Sequence, residues 1–306
     1  MSKLSVTVII PTYNRAETIT YCLDSVCNQT VPPNEIIVVD DCSTDDTVQA
    51  VRSFSDPRIR CIISEKNSGA QAARNRGIRL ARGDWIAFQD SDDEWLPEKL
   101  EKQIAALAEV NFNPMTVVHT DCFRYDHQTG NRTLWELPLV HGTAAFPLLL
   151  TSAGPVFPTI LTSKTALERI GFLDESVPSF QEWDTSIRLA RECRFIHIRE
   201  PLFIYHLHDG KTISKNQRRE IDGYQYIVDK FREEILQNCG IDTLYEHLIG
   251  NAIRAKRYGL DAEALNILGK CRGHPLSMAL LKWMMHNNID PGYYERFIVW
   301  VRRLRH

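Results

Sequence analysis

Asp90-Ser91-Asp92-Asp93 sets three carboxylates directly after the apolar run Trp85–Gln89. Like charges this close repel one another unless a cation neutralises them. Their hard oxygens suit Mg²⁺ or Mn²⁺, ions that keep several waters and bridge one or two carboxylates to substrate phosphates. The plainer alternative is an acidic turn capping the helix that Pro97 opens. Three other loops speak against it. Pro11-Thr12-Tyr13-Asn14-Arg15, Asp40-Asp41-Cys42-Ser43 and Glu65-Lys66-Asn67-Ser68-Gly69 each follow an apolar, β-branched run, and each carries groups suited to a nucleotide, phosphates or a metal. Tyr13 offers a ring face to a base and Asp41 an acceptor to a pyrimidine N–H. Taken alone they are an ordinary turn tyrosine and turn aspartate. Asn67-Ser68-Gly69-Ala70 leads into a helix bearing Arg74 and Arg76, so backbone amides and guanidinium groups can both address an anion. Both arginines could instead line a solvated helix face; Arg74 is the stronger candidate.

These loops need a scaffold that brings strand ends together. Between residues 5 and 124, short β-branched runs alternate with helical periods, which predicts βαβ units and a largely parallel sheet. The expected strands are Val6–Ile10, Ile36–Asp40, Ile59–Ser64, Trp85–Gln89 and Thr116–Arg124. Helices are expected over 16–28, 44–54, 70–82 and 97–109, the second opening with a capping box at Ser43-Thr44-Asp45-Asp46. In such a sheet, ligands bind beyond the carboxyl ends of the strands, where all four loops lie. Residues 125–160 read as loops, 182–193 as a helix, and Phe195–Ile198 and Leu202–His206 as two strands. The catalytic domain is therefore expected over 1–215 and a helical region over 216–306, with helices near 217–238, 242–257, 261–271, 275–287 and 291–305.

Composition narrows the class. The 306 residues are 43% hydrophobic and 25% charged, an ordinary globular mixture with a formal net charge of -3. Charge is uneven: 12 Lys+Arg against 8 Asp+Glu over 230–306, and 24 against 31 before it, so the first part reads as catalytic and the second as a docking surface. Pro11 interrupts the first apolar stretch and no apolar run approaches the ~18–20 residues of a span, so a cytoplasmic location is expected. The eight cysteines are scattered, without a CxxC pair, and read as free, mostly buried thiols. No nucleic-acid partner is expected.

The segments VTVIIPTYNR, EIIVVDDCSTDDT, NSGAQAARNRG, GDWIAFQDSDDEW and GFLDESVPSFQEWDTSIRLA resemble the successive motifs of family 2 glycosyltransferases, inverting enzymes with the GT-A fold. The resemblance covers about residues 4–210 and leaves the helical tail outside. It implies an α/β GT-A fold, Rossmann-like with a mostly parallel sheet flanked by helices, and a C-terminal helical extension. It also implies a nucleotide-diphosphate sugar donor, UDP favoured, held by Pro11, Tyr13, Arg15, Asp41, Asn67 and Arg74. Asp90-Ser91-Asp92 then becomes the metal-binding DXD motif, Asp92 being the stronger ligand for Mn²⁺ or Mg²⁺. The implied general base falls at Glu182, where the family more often has Asp, with Asp184 as a competitor. In Tyr205-His206-Leu207-His208-Asp209-Gly210, His208 stands where a histidine of the family meets the metal or phosphate, although an isolated histidine is more often structural.

The implied reaction is one displacement at the anomeric carbon, with a carboxylate removing the acceptor hydroxyl's proton. Relatives of this shape often build bacterial surface glycans such as lipopolysaccharide or capsule, so a glycan or lipid-linked glycan is the expected acceptor. QxxRW and membrane spans, features of processive synthases, are absent from the sequence, which favours addition of one sugar. A nucleotidyltransferase would need a Gly-rich, basic phosphate loop after the first strand, and Pro11-Thr12-Tyr13-Asn14 is not one. A sugar-nucleotide sensor or scaffold would not require the base. The arginine- and aromatic-rich stretch 293–305 either rests on an anionic inner-membrane surface or packs on its neighbours or a second subunit.

Overall fold

The computed structural model of the protein describes residues 4–207, 216–271 and 287. They form two compact units: Met1–Ser176 with Gln181–Gly210, and Val177–Phe180 with Lys211–His306.

The first unit is built on one sheet with strand order β3-β2-β1-β4-β8-β6-β9-β5, with β7 added beside β6. β1 (Val6–Thr12), β2 (Glu35–Asp40), β3 (Ile59–Ile63) and β4 (Trp85–Phe88) are parallel. Every residue of β1, β2 and β4 is buried, which is why they read as unbroken apolar runs rather than alternating ones. β8 (Leu161–Ser163) is inserted antiparallel between β4 and β6 (Thr116–Asp126). At three residues it is too short to show a period, and it escapes the sequence reading. β9 (Arg194–Leu207) runs parallel to β6 as one strand rather than the expected two. The register slips where Pro201 faces Asp121, and a proline, which donates nothing to the ladder, is tolerated at such an irregularity. β5 (Glu94–Trp95) closes the far edge against β9. The region 125–160, expected as loops, holds β7 (Arg132–Trp135), a hairpin partner of β6, and α5 (Ala145–Leu149).

Helices α1 (Ile19–Cys27), α2 (Thr47–Arg52), α3 (Ala70–Leu80) and α4 (Lys99–Glu109) follow the expected positions with shorter ends. α3 lies very close to β1: a Cβ added at Gly77 would stand 2.6 Å from Ile9 Cγ2. The expected capping box does not form, and Asp46 at the cap of α2 makes no side-chain bond to the helix. Ser43, Thr47 and Asp45 instead accept from the amides of Asn14 (2.9 Å), Arg15 (2.7 Å) and Ala16 (3.2 Å), so polar side chains before and within α2 pin the loop after β1. α6 (Lys164–Arg169) is capped by Ser163, and α7 (Gln181–Ala190) completes the unit.

The second unit contains α8 (Gln217–Lys230), α9 (Arg232–Asn238), α10 (Ile241–Arg257) and α11 (Asp261–Gly269). The segment 177–180 belongs with it rather than with the catalytic domain expected up to 215. Gly223 of α8 explains the placement, since a Cβ there would lie 2.6 Å from the Ser179 amide nitrogen. The expected helices 275–287 and 291–305 lie outside the described residues, Asn287 aside.

Candidate active site

Three parallel strands deliver the first loops. β1 ends in Pro11-Thr12, followed by Tyr13, 43% exposed, and Asn14, which takes a left-handed conformation at φ 51°. Asp41 follows β2; its amide donates to Thr12 O at 2.8 Å, locking the two strand ends together. Its carboxylate accepts from the amides of Ser68 (2.9 and 3.0 Å) and Gly69 (2.7 Å). Asp41 thus shapes the loop after β3, where Asn67 stays exposed beside the start of α3. Gly69 at φ 91° supplies the turn into α3 that an L side chain would strain.

β4 delivers the acidic loop, and α1 holds it by its carbonyls. Thr18 Oγ1 donates to Ser91 O (2.9 Å), Tyr21 OH to Asp92 O (2.8 Å) and Cys22 Sγ to Asp90 O (3.3 Å). Residues 18, 21 and 22 share one face of a helical period, a signal the sequence contains but which reads as ordinary amphipathicity. With its backbone fixed from outside, the loop can aim its side chains separately. Ser91 is buried. Asp93 turns inward, accepting from the His206 amide at 2.8 Å. Burial, and then the charges of Asp92 and Asp90, push its carboxyl well above the usual range.

Asp90 and Asp92 each meet an arginine. Arg74 Nη2 lies 2.5 Å from Asp90 Oδ1, and Arg15 Nε 3.2 Å from Asp92 Oδ2. Arg74 is buried, clamped by Gln71 Oε1 at 3.0 Å and by the Phe157 ring 4.4 Å from its Cζ. Burial raises the Asp90 carboxyl, with Arg74 opposing and Asp92 adding to the rise. Arg15, expected only near the nucleoside, is therefore part of the acidic centre, and Phe157 is a support that the sequence reading missed.

Glu182 joins this group from the first turn of α7. Burial raises its carboxyl, Arg74 pulls it back and Asp90 pushes it up again, so Glu182 feels both of their charges. Asp184, two residues along, is not brought to the cluster. It is fully buried, pairs with Arg188 Nε at 2.8 Å, and through it braces the carbonyls of Ile170 (2.8 Å) and Phe172 (2.6 Å). His208 lies outside the described residues. Before it, His206 contacts Glu94 Oε1 at 3.1 Å and His127 Nε2 at 2.8 Å.

The donor set fits a divalent ion of the oxygen-seeking kind. Asp90 and Asp92 are hard ligands with side chains 30% and 17% exposed, and each already stabilises a positive group. Among the described residues, no group of three or more His, Cys, Asp or Glu side chains forms a complete protein cage. Two carboxylates leaving the remaining positions to phosphate and water is the arrangement expected of Mg²⁺ or Mn²⁺.

The family model described as Glycosyl transferase family 2 matches residues 7–171. An uncharacterised glycosyltransferase of Haemophilus influenzae is 29% identical over 266 residues, covering 83% of this chain and 88% of its own. The Escherichia coli UDP-Glc:alpha-D-GlcNAc-diphosphoundecaprenol beta-1,3-glucosyltransferase WfgD is 42% identical over 115 residues, 38% of this chain and 46% of that enzyme. Among solved structures, S. aureus TarS in complex with UDP-GlcNAc has a TM-score of 0.67 at 19% identity, covering 95% of this chain and 90% of the other. The mannosyltransferase PcManGT of Pyrobaculum calidifontis, in complex with GDP-Man and Mn²⁺, has a TM-score of 0.60 at 20% identity, with coverages of 97% and 84%. The two structures share the GT-A fold with this chain. With the family match spanning more than half of its length, the chain belongs to glycosyltransferase family 2.

Proposed function

We propose that this glycosyltransferase moves one sugar from a nucleoside-diphosphate donor, a UDP-sugar by preference, to a hydroxyl of a glycan or lipid-linked glycan, with inversion at the anomeric carbon. The observation that carries the reading is the contact of Arg74 with Asp90 beside the end of β4, with Glu182 in the first turn of α7 near enough to feel both charges. Relatives named for a UDP-glucose-dependent, lipid-diphosphate-linked reaction and for polysaccharide biosynthesis support the donor and acceptor classes.

Asp90 and Asp92 hold a divalent cation, Mn²⁺ or Mg²⁺, and His208 is a further contact to it or to phosphate. When bound, that cation supplies positive charge against the departing diphosphate. Tyr13 stacks on the base, with Pro11 beside it. Asp41 faces the ring N–H through the lone pairs that its loop amides leave over, and Asn67 and Arg74 hold the ribose or diphosphate side. Glu182 accepts the proton of the acceptor hydroxyl as that oxygen attacks. Its raised carboxyl makes it a stronger base than an ordinary Glu once ionised. The leaving group departs as a stabilised anion, so no general acid is required on that side.

The same proposal places the protein in the cytoplasm, at the inner membrane face when the acceptor is lipid-linked. Among the described residues no helix is long and apolar enough to cross a membrane. The stretch 293–305 docks either on that surface or on a second copy of the chain.

A transfer assay over UDP-, GDP- and dTDP-sugars with Mn²⁺ tests the reading. Wild type forms product with one donor class, and Glu182→Gln lowers kcat by about 10²–10⁴ with donor binding kept. Undiminished transfer by Glu182→Gln contradicts the assignment of the base.

A further inference from the structure

α7 carries Glu182 in its first turn, and the residue directly in front of that helix has an unusual backbone. Phe180 sits in the left-handed region at φ 58°, which a bulky L side chain disfavours. Such a conformation persists where the surrounding contacts over-determine it. Beyond Glu182 the body of α7 is fixed by contacts of the first unit: Trp183 Nε1 donates to Leu149 O at 2.7 Å, and Asp184 pairs with Arg188. The entry to the helix is held differently.

Residues 177–180 belong to the helical unit, where α8 and α10 grip them. Gly223 of α8 lies against the Ser179 backbone so closely that a Cβ would stand 2.6 Å from its amide nitrogen and 2.8 Å from its carbonyl oxygen. Earlier on α8, Arg219 Nε donates to Pro178 O at 2.5 Å. Tyr224 sets its ring edge-on to Phe180, with centroids 5.6 Å apart and planes at 82°. Arg254 of α10 places its guanidinium over both rings, 5.8 Å from Phe180 and 4.7 Å from Tyr224. The gripping side chains are themselves anchored: Arg254 Nε meets Glu220 Oε1 at 3.2 Å, and a hydrogen bond of 2.7 Å joins the Tyr224 hydroxyl to His247 Nδ1.

Glu182 follows Phe180 by two residues, so any rotation about the Phe180 backbone swings the first turn of α7 and the carboxylate with it. Misplacing a reacting group by about 1 Å can cost on the order of 10²-fold in rate. We propose that Phe180 is a positioning residue, and that the helical unit aims Glu182 by holding Phe180 in its left-handed turn through α8 and α10. This rests on the reading of Glu182 as the base given above. The covalent link from Phe180 to Gln181 carries the constraint into α7. The loops after β1 to β4, assigned to the donor, take no part in it. Loosening the grip therefore acts on the rate of transfer and spares donor binding.

The test is a double-mutant cycle on the full chain, with wild type, Phe180→Gly, Glu182→Gln and the double variant compared in the transfer assay. Thermal melts establish folding, and calorimetry with UDP, or GDP if UDP does not bind, reads nucleotide affinity. Phe180→Gly is expected to lower kcat by about 10–100-fold while nucleotide affinity stays within about twofold, and Phe180→Tyr, which keeps the ring, is expected to restore the rate. Because Phe180 acts through Glu182, the double variant should be no more than about twofold slower than Glu182→Gln alone. Arg219→Gln, which removes only an exposed bond to the Pro178 carbonyl, takes the place of Phe180→Gly in the cycle if that variant does not fold, with an expected loss of about threefold. A folded variant with the kcat of wild type, or a loss that multiplies with that of Glu182→Gln, overturns the positioning role and leaves the base reading standing. Undiminished transfer by Glu182→Gln removes the base reading and the positioning role with it.

Discussion

Burial separates the two acids at the start of α7. Asp184 is sealed beneath the helix against Arg188, whereas Glu182 remains partly open beside Asp90 and Arg74. Asp184→Ala is expected to lower stability by about 1–3 kcal/mol, because it takes the carboxylate from a partly buried guanidinium that keeps its bonds to the carbonyls of Ile170 and Phe172, and urea unfolding reads this directly. The raised carboxyl of Glu182 sets a pH signature. A base must be ionised to act, so kcat/KM should rise with pH through a midpoint above the ordinary glutamate value of 4.5, and Glu182→Gln should abolish that limb. The sequence offered Asp90, Asp92 and Arg74 by residue type and position after strands and Glu182 only through the family resemblance, and the fold sets Arg74 against Asp90 and Glu182 at the start of α7, their roles remaining those proposed. The pairing of Arg15 with Asp92 was not legible, because 77 residues separate them and only the folded sheet joins their loops.

Elements succeed or fail by how completely their own residues explain them. β1, β2 and β4 are buried along their whole length, so hydrophobic runs sufficed to find them. β8 was missed because three residues carry no pattern, and the α2 capping box was misread because its polar side chains serve a distant loop. The contact of α3 with β1 predicts that Gly77→Ala costs about 1–3 kcal/mol, since the new methyl must displace Ile9, and a thermal melt measures it. β6 and β9 carry an acid-sensitive element. His119 is buried, stacked on His197 with ring centroids 4.0 Å apart, and its value is lowered from 6.5 to about 3, first by burial and then by His197. The unfolded chain binds that proton between 6.5 and 3 and the folded chain does not. Stability should therefore fall as pH is lowered through this window, and His119→Gln should flatten the decline in urea midpoints.

At the scale of the molecule, the chain divides into an α/β unit and a helical unit whose charge balance differs. The acidic groups of the site all lie in the first unit, and 230–306 carries a basic excess. Docking of the arginine-rich stretch 293–305 on a membrane predicts co-sedimentation with anionic vesicles at low salt and release at high salt, as surface charges are screened. Indifference to such vesicles would favour packing on a second copy, which sedimentation would show as a dimer. The central claim is that Asp90 and Asp92 grip the cation that eases the diphosphate's departure. Its most direct test replaces both with alanine and follows Mn²⁺ affinity and sugar transfer together. The account predicts that both collapse in a chain that still folds; a double variant that binds Mn²⁺ and transfers sugar like wild type contradicts it.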